Sequence, residues 1–459
     1  MATGLSGGKY EPPPEPMAPV EATTEDAMTF HSRIQDTAVF HRRESEARGY
    51  CRSFDTVFKS ARGSTMIGED GRDYIDFLAG CASLNYGHND PDMKAALIAH
   101  LLDDGIAQGL DLFTTSKRAF LKAFECLILG PRELDYKVQF VGPTGTNAVE
   151  AAMKLARKVT KRTNIISFTN GYHGVSLGAL AATGNKKNRV GPEQPLAGVQ
   201  RAAFDGYFGE GVDTAMMLDK LLSDPSSGVD APAAILLECV QGEGGLNVAS
   251  AEWVQAIAGV AKRHGALLIV DEIQTGCGRT GTFFSFETLG VVPDLVTLSK
   301  SISGFGLPMA LLLVKPEYDM WKPAEHNGTF RGNNHAFVTA RVALEKFWSD
   351  DKFATAIAER TEIVNRRLTD IAALIPGAKL KGRGMMQGID VGTGELAELI
   401  CTTCFANGLI VETSGAHHQV VKILAALTIP VPMLRRGLEI IELAVKEATR
   451  TRHPRASAA

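Results

Sequence analysis

The stretch YKVQFVGPTGTNAVEAAMKLARKV, residues Tyr136–Val159, decides the fold class. Its first residues have the pattern of a short apolar strand that ends at Phe140, and a loop rich in Gly and Thr follows. From near Asn147, apolar side chains recur at helical spacing, which predicts a helix. The stretch therefore predicts a strand, a turn and a helix, as at the start of a βα unit.

The same alternation continues along the chain. NIISFTN precedes LGALAATGN, AAILLECV precedes WVQAIAGVAKRHG, and LLIVDE and DLVTLSK follow. Near-continuous apolar strands are typical of a parallel sheet that is covered on both faces. Residues 350–459 mix long amphipathic helices with short strands, and residues 65–78 predict a hairpin with Gly68 and Gly71 near its turn. We therefore predict an α/β fold, with a mostly parallel sheet between helices in a large domain and a smaller α+β domain.

Composition sets the predicted boundaries of these parts. The first residues are rich in Pro, Gly, Glu and Ala, which favours disorder. We predict a disordered tail at 1–28, the N-terminal part of the small domain at 29–90, the large domain at 91–334, the C-terminal part of the small domain at 335–450 and a frayed tail at 451–459.

Bulk properties exclude several classes of function. A net charge of −4 gives no electrostatic reason to expect binding to nucleic acid or to a membrane. No apolar run approaches about 18 residues, and the N-terminus lacks the apolar core of a secretory signal. The seven scattered cysteines are typical of a reducing compartment, so we expect a cytoplasmic protein. Cys401 and Cys404 form a CxxC in an apolar helical pattern without further ligands nearby, so packing is favoured over a metal or redox site.

Three groups with chemical potential follow predicted strands. The loop after Phe140 contains Gly142 and Gly145 and leads into a helix, whose first N–H groups suit a phosphate. It is neither GxGxxG nor a Walker A motif, and an ordinary strand–helix turn remains an alternative. Asp271 ends the strand LLIVD, where a carboxylate meets a ligand cation or is merely solvated. Lys300 ends the strand DLVTLSK, where a solvated surface charge is the alternative.

Taken together, these three groups match one cofactor. The carboxyl ends of parallel strands meet at one edge of a sheet, where ligands bind. Pyridoxal phosphate requires a lysine for its aldehyde, an acid opposite its ring nitrogen and a phosphate site. The combination therefore predicts pyridoxal phosphate more strongly than any of the three groups alone.

Longer motifs resemble a known family. GPTGTNAVEAAMKLAR, NGYHG, ECVQGEGG, LLIVDEIQTGCGRTG, LSKSISGFGLP and NGTFRGN resemble the class III (fold type I) pyridoxal-phosphate aminotransferases over about residues 45–445. RSFDTVF, YIDFLAGCASLNYGHN and GLIVETSG are similar to the branch that serves ectoine biosynthesis. The resemblance implies ping-pong transfer of an amino group from L-glutamate to L-aspartate 4-semialdehyde, giving L-2,4-diaminobutyrate and 2-oxoglutarate. An ω-amino acid aminotransferase of the ornithine, acetylornithine or GABA type is the alternative.

The resemblance also implies roles for single residues. By resemblance, Lys300 forms the Schiff base, and Asp271 pairs with the pyridinium N–H. Gln274 forms a hydrogen bond near the ring hydroxyl, and Tyr172 stacks on the ring. Gly145 and Thr146 hold the phosphate. The resemblance further implies that Thr329 reaches the phosphate of a neighbouring subunit, and hence a homodimer or larger homo-oligomer with active sites at the interface. His173, beside Tyr172, either tunes the ring or packs as a polar neighbour.

Two departures from the family concern the substrate. Val175 stands where many relatives have a carboxylate-binding arginine, and Lys422 stands where they have an arginine that alternates with a switching glutamate, here Glu243. Lysine is a point charge and lacks bidentate carboxylate recognition. We predict that Glu243 masks Lys422 when diaminobutyrate binds and releases it when glutamate binds.

Both substrates also carry a carboxylate carbon three bonds from the reacting carbon, so one distal cation can serve both. Our candidate for this cation is Arg331. The alternative is that Arg331 only pairs with a structural acid.

Overall fold

The computed structural model describes residues 37–189 and 196–452. The described helices are α1 (Ala38–Arg43), α2 (Ala79–Ala82), α3 (Pro91–Leu102), α4 (Thr115–Phe124), α5 (Gly145–Thr160), α6 (Leu177–Ala182), α7 (Lys186–Arg189), α8 (Thr214–Ser223), α9 (Ala251–Arg263), α10 (Asn334–Phe347), α11 (Lys352–Ala372), α12 (Gly394–Ala406) and α13 (Val431–Arg452). The described residues up to Ser45, with α1, belong to one unit, and the chain from Glu46 onward forms another.

The strands of the described ranges belong to one large sheet and three smaller ones. They are β1 (Phe58–Arg62), β2 (Thr65–Gly68), β3 (Asp73–Asp76), β4 (Lys137–Phe140), β5 (Asn164–Phe168), β6 (Val199–Ala202), β7 (Pro232–Leu237), β8 (Val240–Gln241), β9 (Asn247–Val248), β10 (Leu267–Asp271), β11 (Leu295–Leu298), β12 (Leu311–Val314), β13 (Lys379–Arg383), β14 (Met386–Asp390), β15 (Leu409–Ile410), β16 (Glu412–Ser414) and β17 (Val420–Ile423).

The large sheet has the strand order β4-β12-β11-β10-β7-β5-β6. Within it, β12 runs antiparallel to both of its neighbours, and the remaining described strands are parallel. Alternate residues of β10 enter the cores on opposite faces, with Leu267 and Ile269 on one and Leu268 and Val270 on the other. Helix α5 covers the first face and α9 the second, which confirms the prediction of a mostly parallel sheet covered by helices on both sides.

The C-terminal part forms a second core. The antiparallel sheet β13-β14-β17-β16 packs with apolar side chains of α11, α12 and α13. The hairpin predicted at 65–78 is present as β2 and β3, and β3 pairs in parallel with β15. Cys404 is buried in α12, in agreement with a packing role. The division into two domains remains a prediction.

The start of α5 differs from the prediction. Helix α5 begins at Gly145, two residues before the predicted start, because Thr144 is still extended with φ −137° and ψ 145°.

The predicted tail at 1–28 lies outside the described residues, as does 453–459 of the predicted C-terminal tail, while α13 extends to Arg452. No helix in the described part of the chain is both long and apolar enough to cross a membrane.

Candidate active site

The parallel strands β4, β5, β7, β10 and β11 end at one edge of the large sheet, and a cavity of about 280 Å³ opens there. This is where ligands bind in sheets of this type. Most of the residues assigned from the sequence line it: Gly145, Thr146, Tyr172, Glu243, Asp271, Gln274 and Lys300. The sheet therefore brings together side chains that are far apart in the chain.

Lys300 is held at the cavity by an unusual backbone. It follows β11 and has a φ of +50°, a left-handed conformation that costs a non-glycine residue roughly 1–3 kcal/mol. The hydroxyl of Ser301 donates to the carbonyl of Ala82 at 2.8 Å and accepts from the N–H of Asn85 at 3.0 Å, which fixes the turn. No described residue forms a hydrogen bond or ion pair with the Lys300 amine. The amine is therefore positioned by the main chain and is available to a ligand.

Asp271 is buried at the end of β10 and is oriented through both carboxylate oxygens. Oδ1 accepts from the hydroxyl of Thr297 at 2.9 Å and from the N–H of Ile273 at 3.1 Å. Oδ2 lies 2.8 Å from Nδ1 of His173, which donates if it carries the ring proton. Burial lowers the pKa of His173, but the hydrogen bond and charge of Asp271 outweigh it, so the pKa is raised. Asp271 and His173 therefore form a buried hydrogen-bonded pair beside the cavity.

The N-terminus of α5 forms the opposite wall. Gly145 and Thr146 are its first residues, and the first N–H groups of a helix have no partner within the helix. A Cβ on Gly145 would lie 3.0 Å from Cδ1 of Ile273, so a side chain there would require Ile273 to shift. The hydroxyl of Thr146 lies 2.5 Å from that of Ser176, which in turn donates to Glu150 at 2.7 Å. This loop can hold an anion such as a phosphate.

The backbone of Tyr172 is held by Glu238, the acid that directly follows β7. Its N–H donates to Oε1 of Glu238 at 2.9 Å, and the N–H of Gly242 donates to Oε2 at 3.3 Å. Burial raises the pKa of Glu238 to about 7, so this carboxyl carries a proton more readily than an exposed one. The ring of Tyr172 borders the cavity, and its stacking on a cofactor remains a prediction.

A second chamber of about 350 Å³ adjoins the first. Tyr172, Glu243 and Lys300 line both cavities, so the two meet at these three residues. The remaining lining residues are Tyr50, Cys81, Asn185, Lys187, Asn188, Thr413, Ser414, Gly415 and His418. The volume is in the range of pockets for small ligands, so this chamber can accept an amino acid.

Lys422 is fully buried between two carboxylates. Its amine lies 2.7 Å from Oε1 of Glu243 and 2.9 Å from Oε1 of Glu412. Burial raises the pKa of Glu243, but the charges of Lys422 and Lys300 outweigh it and lower the pKa to about 2. Gln274 also donates to Glu243, at 3.1 Å. The predicted pairing of Lys422 with Glu243 is present, and Glu412 is a second partner that sequence reasoning missed.

A left-handed turn positions Cys81 beside this pair. The residues of α2 have φ values between +45° and +63°, although only Gly80 is a glycine. Asp76 stabilises the turn by accepting from the N–H groups of Leu78 and Ala79 at 2.8 Å each. Cys81 Sγ lies 3.5 Å from Glu412, and with Glu243 the three could ligate a metal ion. Lys422 already supplies a cation between the two carboxylates.

Two predicted residues, Thr329 and Arg331, line neither cavity of this chain. Thr329 is exposed and lines neither cavity of its own chain. Arg331 forms an ion pair with Asp111, as in the alternative reading of this residue. Val175 borders the first cavity and offers no charge to a carboxylate. The role of Arg331 as the distal cation therefore stays a prediction.

The aminotransferase class-III family profile matches residues 47–445. The chain is 52% identical to the diaminobutyrate–2-oxoglutarate transaminase of Bordetella parapertussis, over 92% of this chain and 98% of that protein. It is 53% identical to the protein of the same name from Vibrio cholerae, over 89% of this chain and 100% of that protein.

Solved structures share the fold. The ornithine aminotransferase of Toxoplasma gondii superposes with a TM-score of 0.76 at 25% identity, covering 93% of this chain and 98% of that one. An S-selective transaminase from Arthrobacter gives a TM-score of 0.79 at 22% identity, covering 89% and 96%. The fold expected from the resemblance is confirmed, and the chain belongs to the class-III aminotransferase family.

Proposed function

We propose that the protein is a pyridoxal-phosphate-dependent diaminobutyrate–2-oxoglutarate transaminase. It moves the amino group of L-glutamate to L-aspartate 4-semialdehyde and yields L-2,4-diaminobutyrate and 2-oxoglutarate. The observation that carries the proposal is the meeting of the Lys300 amine, the Asp271 carboxylate and the N-terminus of α5 around one cavity. The relatives at 52–53% identity supply the choice of substrates.

The donor set fits pyridoxal phosphate. The N-terminus of α5 would hold the phosphate, because its free N–H groups and positive dipole end favour an anion. Asp271 would hold the protonated ring nitrogen, since its carboxylate is already oriented by Thr297, Ile273 and His173. Lys300 would form the covalent link, and its amine has no competing partner among the described residues.

The chain's own groups perform the proton chemistry. Pyridoxal phosphate supplies, when bound, an aldehyde that condenses with amines and a ring that accepts electrons from a carbon losing a proton. The amine of Lys300, once free, takes and returns that proton as a general base and acid. His173 keeps the Asp271 carboxylate in place, so that the ring nitrogen stays protonated.

The two substrates differ in charge at the reacting carbon. Glutamate has a carboxylate there, whereas diaminobutyrate has only hydrogen. Lys422 is the cation for that carboxylate, and Glu243 must move aside before it can bind. Glu412 stays 2.9 Å from the Lys422 amine, so the lysine keeps one anchor when Glu243 leaves.

Homo-oligomerisation and a cytoplasmic location are part of the proposal. The exposed ring of Phe330 follows Thr329, and the exposed Leu112 and Phe113 lie near Asp111, which pairs with Arg331. An apolar surface of this kind favours contact with a second subunit, and Thr329 would then reach the neighbouring site. The seven cysteines, all in the described ranges, are free thiols, as expected in the cytoplasm.

The test is a spectral titration of the holoenzyme. The visible absorbance of the bound cofactor is followed in single turnovers with L-glutamate, L-2,4-diaminobutyrate, L-ornithine and GABA. We expect fast changes with the first two and slower ones with the others. A faster reaction with ornithine or GABA, or no response to diaminobutyrate, would contradict the proposed substrates.

A further inference from the structure

The chamber beside Lys300 needs a cation that has not been assigned. Glutamate and diaminobutyrate each carry a carboxylate carbon three bonds from the reacting carbon. A carboxylate that enters a chamber of about 350 Å³ loses much of its water and requires a charged or polar partner there. Arg331 is paired with Asp111, and Val175 carries no charge.

Lys187 meets this requirement. Among the described residues that line the second chamber, Lys187 and Lys300 are the two lysines. Lys300 is needed at the reacting carbon. The Lys187 amine has no ion-pair or hydrogen-bond partner within residues 37–189 and 196–452, so its charge is free for a ligand.

The neighbours of Lys187 suit a carboxylate as well. Asn185 and Asn188 line the same chamber, and each has an amide that can donate hydrogen bonds. Asn185 accepts the N–H of Lys187 through its oxygen at 2.9 Å, which leaves its NH₂ group free. His418 lines the same chamber, and burial and the charge of Lys187 lower the pKa of its imidazole.

We propose that Lys187 binds the distal carboxylate of both substrates, with Asn185 and Asn188 as additional donors. This inference rests on the proposed function. The three residues lie at or beside the short helix α7 and line the same chamber as Lys300. The flexible side chain of lysine allows one cation to follow two substrates of different shape.

The test compares two neighbouring lysines in the holoenzyme. Lys187→Met removes the cation, and Lys186→Met is the matched control because Lys186 lines neither cavity. We expect Lys187→Met to raise KM for glutamate and diaminobutyrate roughly five-fold while kcat changes less than about two-fold, as for loss of one exposed ion pair. Lys187→Arg should keep most of the affinity.

An amine without the carboxylate separates binding from misfolding. 1,3-Diaminopropane is diaminobutyrate without its carboxylate, so its KM should be the same in the wild type and in Lys187→Met. The inference is overturned if Lys187→Met behaves like Lys186→Met, or if KM for diaminopropane rises as much as that for diaminobutyrate. If the wild type ignores both glutamate and diaminobutyrate, the proposed function falls, and this inference falls with it.

Discussion

Replacing Lys422 by methionine tests the two-substrate switch. The amine of Lys422 is fully buried and lies 2.7 Å from Glu243 and 2.9 Å from Glu412. In the variant, the carboxylate on the reacting carbon of glutamate loses a charged hydrogen-bond partner, which is worth about 2 kcal/mol, or about 30-fold in rate. Diaminobutyrate has no such carboxylate, so its half-reaction should slow by less than about three-fold.

The assay is stopped-flow absorbance of the bound cofactor in single turnovers with each amine. Lys381→Met is the control, because Lys381 lies on β13 of the same sheet and its amine contacts Asn247 instead of Glu243 or Glu412. Lys422→Met should also lower Tm, since Glu243 and Glu412 lose their buried counter-ion, whose removal costs roughly 3–5 kcal/mol. Equal slowing of the two half-reactions would refute the switch, whatever the change in Tm.

Two further predictions concern Asp271 and its partner. Asp271→Asn should lower kcat/KM roughly 100- to 1,000-fold through loss of the charge opposite the ring nitrogen, and activity within ten-fold of the wild type would contradict this role. His173→Gln tests the raised pKa of His173 through Tm. A histidine with a raised pKa stabilises the fold fully below about pH 6.5, its unfolded value, and this contribution is lost as pH rises through the folded value. The wild type should therefore exceed His173→Gln in Tm by more at pH 6 than at pH 9. A Tm difference that is constant or grows with pH would argue against a raised pKa of His173.

The cofactor end of the site could be predicted from the sequence because it depends on local rules. Apolar runs marked the strands, and Gly145, Asp271 and Lys300 each follow a strand of one parallel sheet. Parallel strands place their carboxyl ends at the same edge, so three local patterns were sufficient to bring these residues together. Among these features, the observed start of α5 differed from the predicted start by two residues, and helix ends commonly vary by one or two residues.

The substrate end depends on pairings that no local pattern contains. Glu412 reaches Lys422 because β16 and β17 are antiparallel neighbours in which these two residues lie directly opposite. Opposite charges across a strand pair are a usable signal, but only once the register is known. The turn at Ala79–Ala82 left no signal either, since only Gly80 favours its left-handed backbone. Lys187 was one of two adjacent lysines in a polar segment, and only the cavity distinguishes it from Lys186.

The covalent role of Lys300 is the central claim, and one measurement tests it most directly. The holoenzyme is reduced with borohydride and digested, and the peptides are identified by mass spectrometry. We predict that the reduced cofactor is attached to the peptide that contains Lys300, and that Lys300→Met carries no such label. Attachment at another lysine in the wild type, or an unchanged label in Lys300→Met, would contradict the account.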